Sequence, residues 1–427
     1  MRHIAIITAG GAGMFCGSCM HDNTWARALM AAGCQVSLVP TYTPIRVDEA
    51  DVSSGRVFLG GVNVYLGYRY RFWQRIPRRI ARILDQPWMI NLATKFSISN
   101  DAAKLGDLTL AMLEGEAGPH YREVAELAEY VCALDPDIVI FSNALLAGAL
   151  REVKNVCRGP VYCTLQGDDV FLDSLPDDYR ERAIAAVSAR AAEFDGFITH
   201  SRFYRDYIAD YLQLDSSRFG LLPLGIDLEG HDGVAGERDG QPFTVGYFAR
   251  VAPEKGLQHL AEAFCRLHRR RPEVRLRVGG YLGPQNRGYL REVQKLLRPV
   301  GDAFEYVGSP ATHAEKVRFL RSIDVLSVPT EFQEPKGLYV LEALANGRPV
   351  VQPRHGAFPE LIEATGGGRL VEPRDPQALA DALEELFDQP ETCRSLGMTG
   401  QTNVRARFSP EAMARATIEL FERTAKT

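Results

Sequence analysis

Glu334 and Glu342 flank what reads as the start of a helix in the stretch 330–347. Pro335 and Gly337 forbid regular helix at the first glutamate, whereas 338–345 is an unbroken helix-forming run, so the helix begins close to Gly337. Glu334 then lies in the entering loop, and Glu342 sits about one turn into the helix, roughly 6 Å along its axis at about 1.5 Å per residue. Between them come the amides of a helix N-terminus, which attract a phosphate or sugar oxygen. Carboxylates that accept hydroxyls beside amides that favour anions suit a ligand with a polyhydroxyl part and an anionic part. The same pair of glutamates can also do no more than complement the helix dipole. A strand at 324–329 ends just before Glu334 and another at 349–353 follows the helix. Ligands of open parallel sheets sit at the carboxyl ends of strands, which favours the binding reading.

A second segment points to the same sheet edge. The run 245–257 reads as strand, short loop and helix start, and it delivers Arg250 and Lys255 to the strand's carboxyl end. Two cations with helix amides can neutralise the charge that develops on a departing diphosphate. Taken singly, each is an ordinary surface charge.

The glycine-rich stretch 10–21 follows the first strand and holds Cys16, Cys19 and His21, a spacing that invites a metal or redox reading. A zinc site needs a fourth ligand, and no second close Cys or His pair exists, so metal is not expected and small residues lining a site are. A dinucleotide site would want an acidic residue after the next strand, where 40–43 offers none. Asp168 and Asp169 resemble a metal-binding carboxylate pair, but they follow a first-half strand and read as loop and cap chemistry.

These residues need a scaffold, and the chain is long enough for two domains at 427 residues. It is 46% apolar and 24% charged, a globular balance, and its formal net charge of -5 gives no global case for nucleic-acid binding. Short apolar runs alternate with helical periods, the pattern of βα units around parallel sheets. The predicted strands are 4–8, 36–40, 137–142, 161–165, 196–199 and 220–223, then 244–248, 275–279, 305–308, 325–329, 350–352 and 369–371. This is an α/β chain with two Rossmann-like domains of similar size, 1–230 and 243–409. The polar segment 231–242 links them. A final helix at 410–427 either crosses back to the first domain or packs on its own.

An insertion at about 41–130 breaks the alternation, with a hairpin expected at 56–65. The stretch 68–84 that follows carries six arginines and four aromatics. Such a stretch lies on an anionic membrane surface, holds an anionic acceptor, or is a solvated face over a core stripe. The first apolar run is too short for a signal peptide, and nothing approaches the roughly 20 apolar residues that span a bilayer. The eight cysteines are scattered in hydrophobic surroundings, as in a reduced protein, so the expected location is the cytoplasm, with peripheral membrane contact through 68–84.

Four motifs in order, Gly246-x-x-x-Arg250-x-x-x-Glu254-Lys255-Gly256, Glu334-x7-Glu342, Gly347-x-Pro349-Val350-Val351 and Gly356-x-x-Pro359-Glu360, carry a resemblance. They resemble the retaining nucleotide-sugar glycosyltransferases of family 4, in the glycogen-synthase-like superfamily. The first half matches more loosely, through 27–33, His200-Ser201 and Gly225-Ile226-Asp227. The resemblance implies a GT-B fold whose parallel sheets face an interdomain cleft, with the donor mostly on the second domain and the acceptor on the first. It assigns Arg250 and Lys255 to the donor diphosphate, Glu334 to the sugar and its reacting face, and Glu342 to the ribose. Amides of Gly337, Leu338 and Tyr339 would contact sugar or phosphate, Gly17 would approach donor or acceptor, and no metal or other cofactor would be needed beyond the nucleoside-diphosphate sugar itself. Departures are Gln166 where the family often has histidine, Leu224 where it has asparagine, and Pro335-Lys336-Gly337-Leu338-Tyr339, in which Lys336 adds a cation suited to an acidic sugar or acceptor. The donor base and sugar, the acceptor and the oligomeric state leave no trace in these residues. The alternatives are another GT-B enzyme such as a sugar-nucleotide epimerase, a nonenzymatic sugar-nucleotide sensor, and a thiol or metal protein built on the Cys16–Cys19 loop.

Overall fold

The computed structural model describes residues 2–10, 16–59, 102–236 and 241–424. They form two compact units, one of Met1–Leu222 with Met413–Thr427 and the other of Pro223–Ala412. Each carries a six-stranded sheet, and every strand pairing is parallel.

In the first unit the strands are β1 (His3–Thr8), β2 (Gln35–Pro40), β3 (Ile138–Phe141), β4 (Val161–Thr164), β5 (Gly196–Thr199) and β6 (Phe219–Leu221), ordered β2-β1-β3-β4-β5-β6. Ile4, Ala5, Ile6 and Ile7 are all buried, as a parallel strand covered on both faces requires. Each of the three isoleucine side chains contributes about 1.5–3 kcal/mol on burial. The core on one face includes Trp25 and Leu29 of helix Gly17–Ala31 and Met413, Ala414 and Phe421 of the last helix, Pro410–Thr424. The expected hairpin at 56–65 lies mostly outside the described residues, and the part within them, 56–59, is not strand. The basic stretch 68–84 lies wholly outside them.

The second unit orders β7 (Thr244–Phe248), β8 (Arg275–Gly279), β9 (Phe304–Gly308), β10 (Val325–Leu326), β11 (Val350–Pro353) and β12 (Gly368–Val371) as β12-β11-β10-β7-β8-β9. Strand β10 is shorter than the predicted 325–329. Ser327 N still donates to Gly246 O, but Val328 N turns to the side-chain Oε1 of Gln352, and Pro329 has no N–H to give. The unit begins at Pro223, ahead of the glycine-rich segment that sequence alone marks as the link, because Leu224 and Ile226 are buried in its core. Among the described residues no helix is long and apolar enough to cross a membrane.

Candidate active site

The site is built where β7 and β10 end. After β7 the chain turns through Arg250 into a single 3-10 turn, Pro253–Lys255, and then helix Leu257–Arg270. The buried Tyr247 pins this turn from below, its hydroxyl donating to Arg250 O at 3.1 Å, with Lys255 O at 3.5 Å. Gly256 closes it in the left-handed region at φ 71°, and a Cβ there would stand 1.7 Å from Pro329 O. Only glycine lets the turn touch the segment that follows β10.

That contact brings Lys255 against Glu334. Lys255 Nζ donates to Glu334 Oε2 at 2.7 Å, and the ammonium also lies 4.6 Å from the Phe332 ring centroid and 5.5 Å from that of Tyr339. Tyr339 Oη donates to the same Oε2 at 3.0 Å. Oε1 faces Lys336 N and Gly337 N, each at 3.4 Å. Burial alone would raise the Glu334 pKa, but the Lys255 charge and hydrogen bond, the Tyr339 hydroxyl and the Lys336 amide outweigh it and hold the carboxyl below its ordinary value. The loop itself is clamped from the far side by Ala357 N on Glu334 O at 2.8 Å and Gly356 N on Gln333 Oε1 at 2.9 Å.

Glu342 occupies helix Leu338–Ala345, which starts after Gly337 as the sequence predicts. Its Oε1 takes Lys316 Nζ at 2.8 Å, with both side chains buried. Lys316 is a residue the sequence reading missed. It sits in helix His313–Arg321 among Val317, Phe319 and Leu320, where a lysine on an amphipathic helix signals nothing. Asn346 then ties this helix to the segment before β7, donating from Nδ2 to Glu342 O at 2.9 Å and meeting His231 Nδ1 at 2.6 Å.

Several residues differ from the arrangement expected of them. Arg250 does not reach Glu334. Its Nη2 pairs with Glu254 Oε1 at 2.8 Å on the exposed side of the turn, because the i, i+4 carboxylate is nearer. The Gly337 amide is directed to Glu334, and Tyr339 contributes its hydroxyl to the same group. Lys336, though basic, is buried, as is Glu334 beside it. Leu338 opens the helix and packs against the second unit's core.

In the first unit, Gly17 is exposed at the first position of its helix. Gln166 is buried, its Nε2 donating to Ser142 O at 2.8 Å and to Asp22 Oδ1 at 3.3 Å, so its amide nitrogen serves the fold. Asp22 also accepts the Thr8 hydroxyl at 2.7 Å, and the ring of the buried His21 meets that of the half-buried His200 edge-on at 4.4 Å. Cys16 and Cys19 are thiols, and the hydrogen bond between them together with burial pushes the Cys19 thiol well above the usual range. Asp168 and Asp169 are consumed locally. Asp168 accepts Ala144 N at 2.6 Å and Gln166 N at 3.1 Å, and Asp169 accepts the Tyr204 hydroxyl at 2.5 Å. Among the described residues no three His, Cys, Asp or Glu side chains gather into a set that could hold a metal ion.

Residues 242–389, which contain Lys255, Glu334, Tyr339 and Glu342, match the family described as glycosyl transferases group 1. The chain is 28% identical over 222 residues to an MMP alpha-(1->4)-mannosyltransferase of Mycolicibacterium hassiacum, covering 51% of each chain. It is 34% identical over 221 residues to a D-inositol 3-phosphate glycosyltransferase of Corynebacterium glutamicum, covering 47% of this chain and 50% of that one. A glycogen synthase of Mycobacterium tuberculosis is 27% identical over 290 residues, covering 67% and 68%. The chain spans about half the length of the curated relatives it first matches. Among solved structures, a sucrose-phosphate synthase from Thermosynechococcus elongatus superposes with a TM-score of 0.72 at 20% identity over 100% of both chains. HepE of Anabaena, solved with UDP, superposes at 0.68 and 16% identity, covering 99% of this chain and 100% of that one. The fold is therefore GT-B: two Rossmann-like α/β units, each with a parallel sheet.

Proposed function

We propose that this chain is a retaining glycosyltransferase that moves a hexose-type sugar from a nucleoside-diphosphate sugar to an acceptor. The observation that carries this reading is the Lys255–Glu334 contact at the carboxyl ends of β7 and β10, inside the segment that matches the glycosyltransferase family. A cation that can meet a diphosphate stands against a carboxylate that can meet sugar hydroxyls. Both are needed when the bond between anomeric carbon and diphosphate oxygen breaks.

In this reading Lys255 and Arg250 stabilise the leaving diphosphate, and Arg250 turns from Glu254 to do so. No metal ion is required, because protein cations supply the charge. Glu334 binds hydroxyls of the donor sugar and stabilises positive charge on its reacting face, while the acceptor oxygen attacks from the side that the diphosphate leaves. Glu342, oriented by Lys316, accepts the ribose hydroxyls. Gln166, where the resemblance places a contact to the donor sugar, and Gly17, which would approach donor or acceptor, lie on the first unit.

The experiment is nucleoside-diphosphate release from a panel of nucleotide hexoses, with and without a divalent-ion chelator, for wild type, Lys255→Ala and Glu334→Ala. Expected is slow hydrolysis of one donor that survives chelation and falls about 10²–10³-fold in either variant. Wild-type inertness toward every donor, or sugar interconversion without loss of the diphosphate, rejects the transferase in favour of a sensor or an epimerase. Anomeric configuration of the transferred sugar, read by proton NMR, tests retention.

A further inference from the structure

Glu334 is already saturated. A carboxylate offers about four lone-pair positions, and here Lys255 Nζ and Tyr339 Oη converge on Oε2 while Lys336 N and Gly337 N face Oε1. The residue is 5% exposed, so water does not substitute for any of them. A sugar hydroxyl can hydrogen-bond this group only after one partner leaves.

The four partners differ in what holds them. Two are backbone amides of the loop that runs into helix Leu338–Ala345. Tyr339 is fixed in the first turn of that helix, buried, with its ring 6.4 Å from that of Phe358. Lys255 alone hangs on a flexible four-carbon stem, with ring faces of Phe332 and Tyr339 along its path. It is also the only one of the four that carries a full positive charge for an incoming polyanion to draw away.

We infer that Lys255 is a displaceable plug on the sugar-binding oxygen of Glu334, and that Tyr339 is the positioning residue that holds the carboxylate when the plug is withdrawn. This rests on the transferase reading and adds an order to it. The diphosphate draws the ammonium off Oε2, the Tyr339 hydroxyl stays, and the lone pair that Lys255 vacates receives a sugar hydroxyl. Sugar without a diphosphate meets a closed site. Sugar attached to one opens the site by its own leaving group, so the carboxylate engages only hexoses that carry the group to be expelled.

Tyr339 lies in the stretch 335–339 where this chain departs from the family it resembles, so the hydroxyl belongs to this chain's own variation. The titratable groups around Glu334 are Lys255 from the β7 loop, Tyr339 from the helix, His355 from the loop after β11 and its own neighbour Lys336. Tyr247 stands behind Tyr339. Burial lowers the His355 pKa, with the hydrogen bond to Thr330 and the Glu334 charge acting against it. Removing the Tyr339 hydroxyl takes away one of the groups that hold the Glu334 carboxyl down.

Two measurements test the inference. Inorganic pyrophosphate is titrated calorimetrically into wild type and Glu334→Gln. A plug released from its carboxylate binds the anion about three- to tenfold more tightly, whereas unchanged or weaker binding overturns the exchange. Tyr339→Phe is then compared with wild type on the donor found above. Expected are an unchanged affinity for the nucleoside diphosphate, a kcat/KM reduced about tenfold, and an acid limb of the pH–rate profile displaced upward. A Tyr339→Phe enzyme with the wild-type acid limb sinks the positioning role. Failure of the transferase reading would appear differently, as a wild-type protein that turns over no nucleotide sugar at all.

Discussion

Lys316 and Glu342 form a buried ion pair, Nζ to Oε1 at 2.8 Å, between two helices that the sequence gives no reason to connect. Two buried charges persist only when each satisfies the other, and loss of one partner costs about 3–5 kcal/mol where loss of both can be neutral. Lys316→Met is therefore expected to destabilise the second unit by about that amount, and Lys316→Met with Glu342→Met to recover most of it. Hydrogen exchange read on second-unit peptides distinguishes this from a change in the first unit. Equal destabilisation by single and double variants would show that Lys316 matters for its packing and not for its charge.

Gly256 gives a second prediction, because its cost has two separable parts. The left-handed backbone costs an L-residue about 1 kcal/mol or more, and a Cβ placed 1.7 Å from Pro329 O adds a clash with immobile backbone. Gly308 has the first part without the second, at φ 79° with nothing within 4 Å of its Cβ position. In thermal unfolding Gly256→Ala should lower the midpoint far more than Gly308→Ala, and it should also weaken pyrophosphate binding by shifting Lys255. Similar losses for the two would mean that the turn has room to move.

The pairs and turns above were legible in the sequence to different depths. Residues 4–8 and 244–248 read as parallel strands because short apolar runs alternate there with helical periods, and the helix at Leu338 follows from the proline and glycine before it. That Lys255 and Glu334 share a sheet edge follows from βα topology, although 79 positions separate them. What the sequence could not show is which side chain takes which partner. Arg250 and Lys255 look alike as cations, but Glu254 lies within one turn of Arg250 and claims it. The end of β10 depends on a side chain from β11, Gln352, and the start of the second unit on two apolar residues, Leu224 and Ile226, that no turn signal marks.

Acidity should act oppositely on the two units. Burial raises the Asp168 pKa from 3.8 to about 6, against the hydrogen bonds from Gln166 and Ala144. The folded first unit thus holds a proton that the unfolded chain releases, so the contribution is present below pH 3.8 and lost as pH rises through about 6. At 1.36 kcal/mol per unit the full effect is about 3 kcal/mol. Glu334 is held below its ordinary 4.5, so its contribution is present above pH 4.5 and lost as pH falls through its folded value. Urea unfolding at pH 4 and pH 7 should show the wild-type advantage over Asp168→Asn shrinking as pH rises. Over pH 3 to 5 the advantage over Glu334→Gln should grow. Parallel pH dependences for the two variants would contradict the assignment.

The last helix, Pro410–Thr424, meets the first unit through an apolar face with a buried polar contact inside it. Trp25 Nε1 donates to Thr417 Oγ1 at 2.9 Å, and that hydroxyl passes its own hydrogen to Met413 O at 2.7 Å. Both side chains are buried, Trp25 at 1% and Thr417 at 0% exposure, so water cannot replace either partner. Thr417→Val keeps the shape of the side chain and leaves the indole N–H unsatisfied, which costs about 1–3 kcal/mol. The helix otherwise docks through Met413, Ala414 and Phe421, whose ring lies 5.1 Å from that of Tyr162, and these contacts survive the substitution. The loss should therefore appear as easier local release, with limited proteolysis cutting within the helix before the rest of the first unit opens. Adding Trp25→Phe removes the stranded donor, so the double variant should be less damaged than the sum of the singles. Strict additivity would mean that the indole and the hydroxyl do not act as a pair and that apolar packing alone carries the helix.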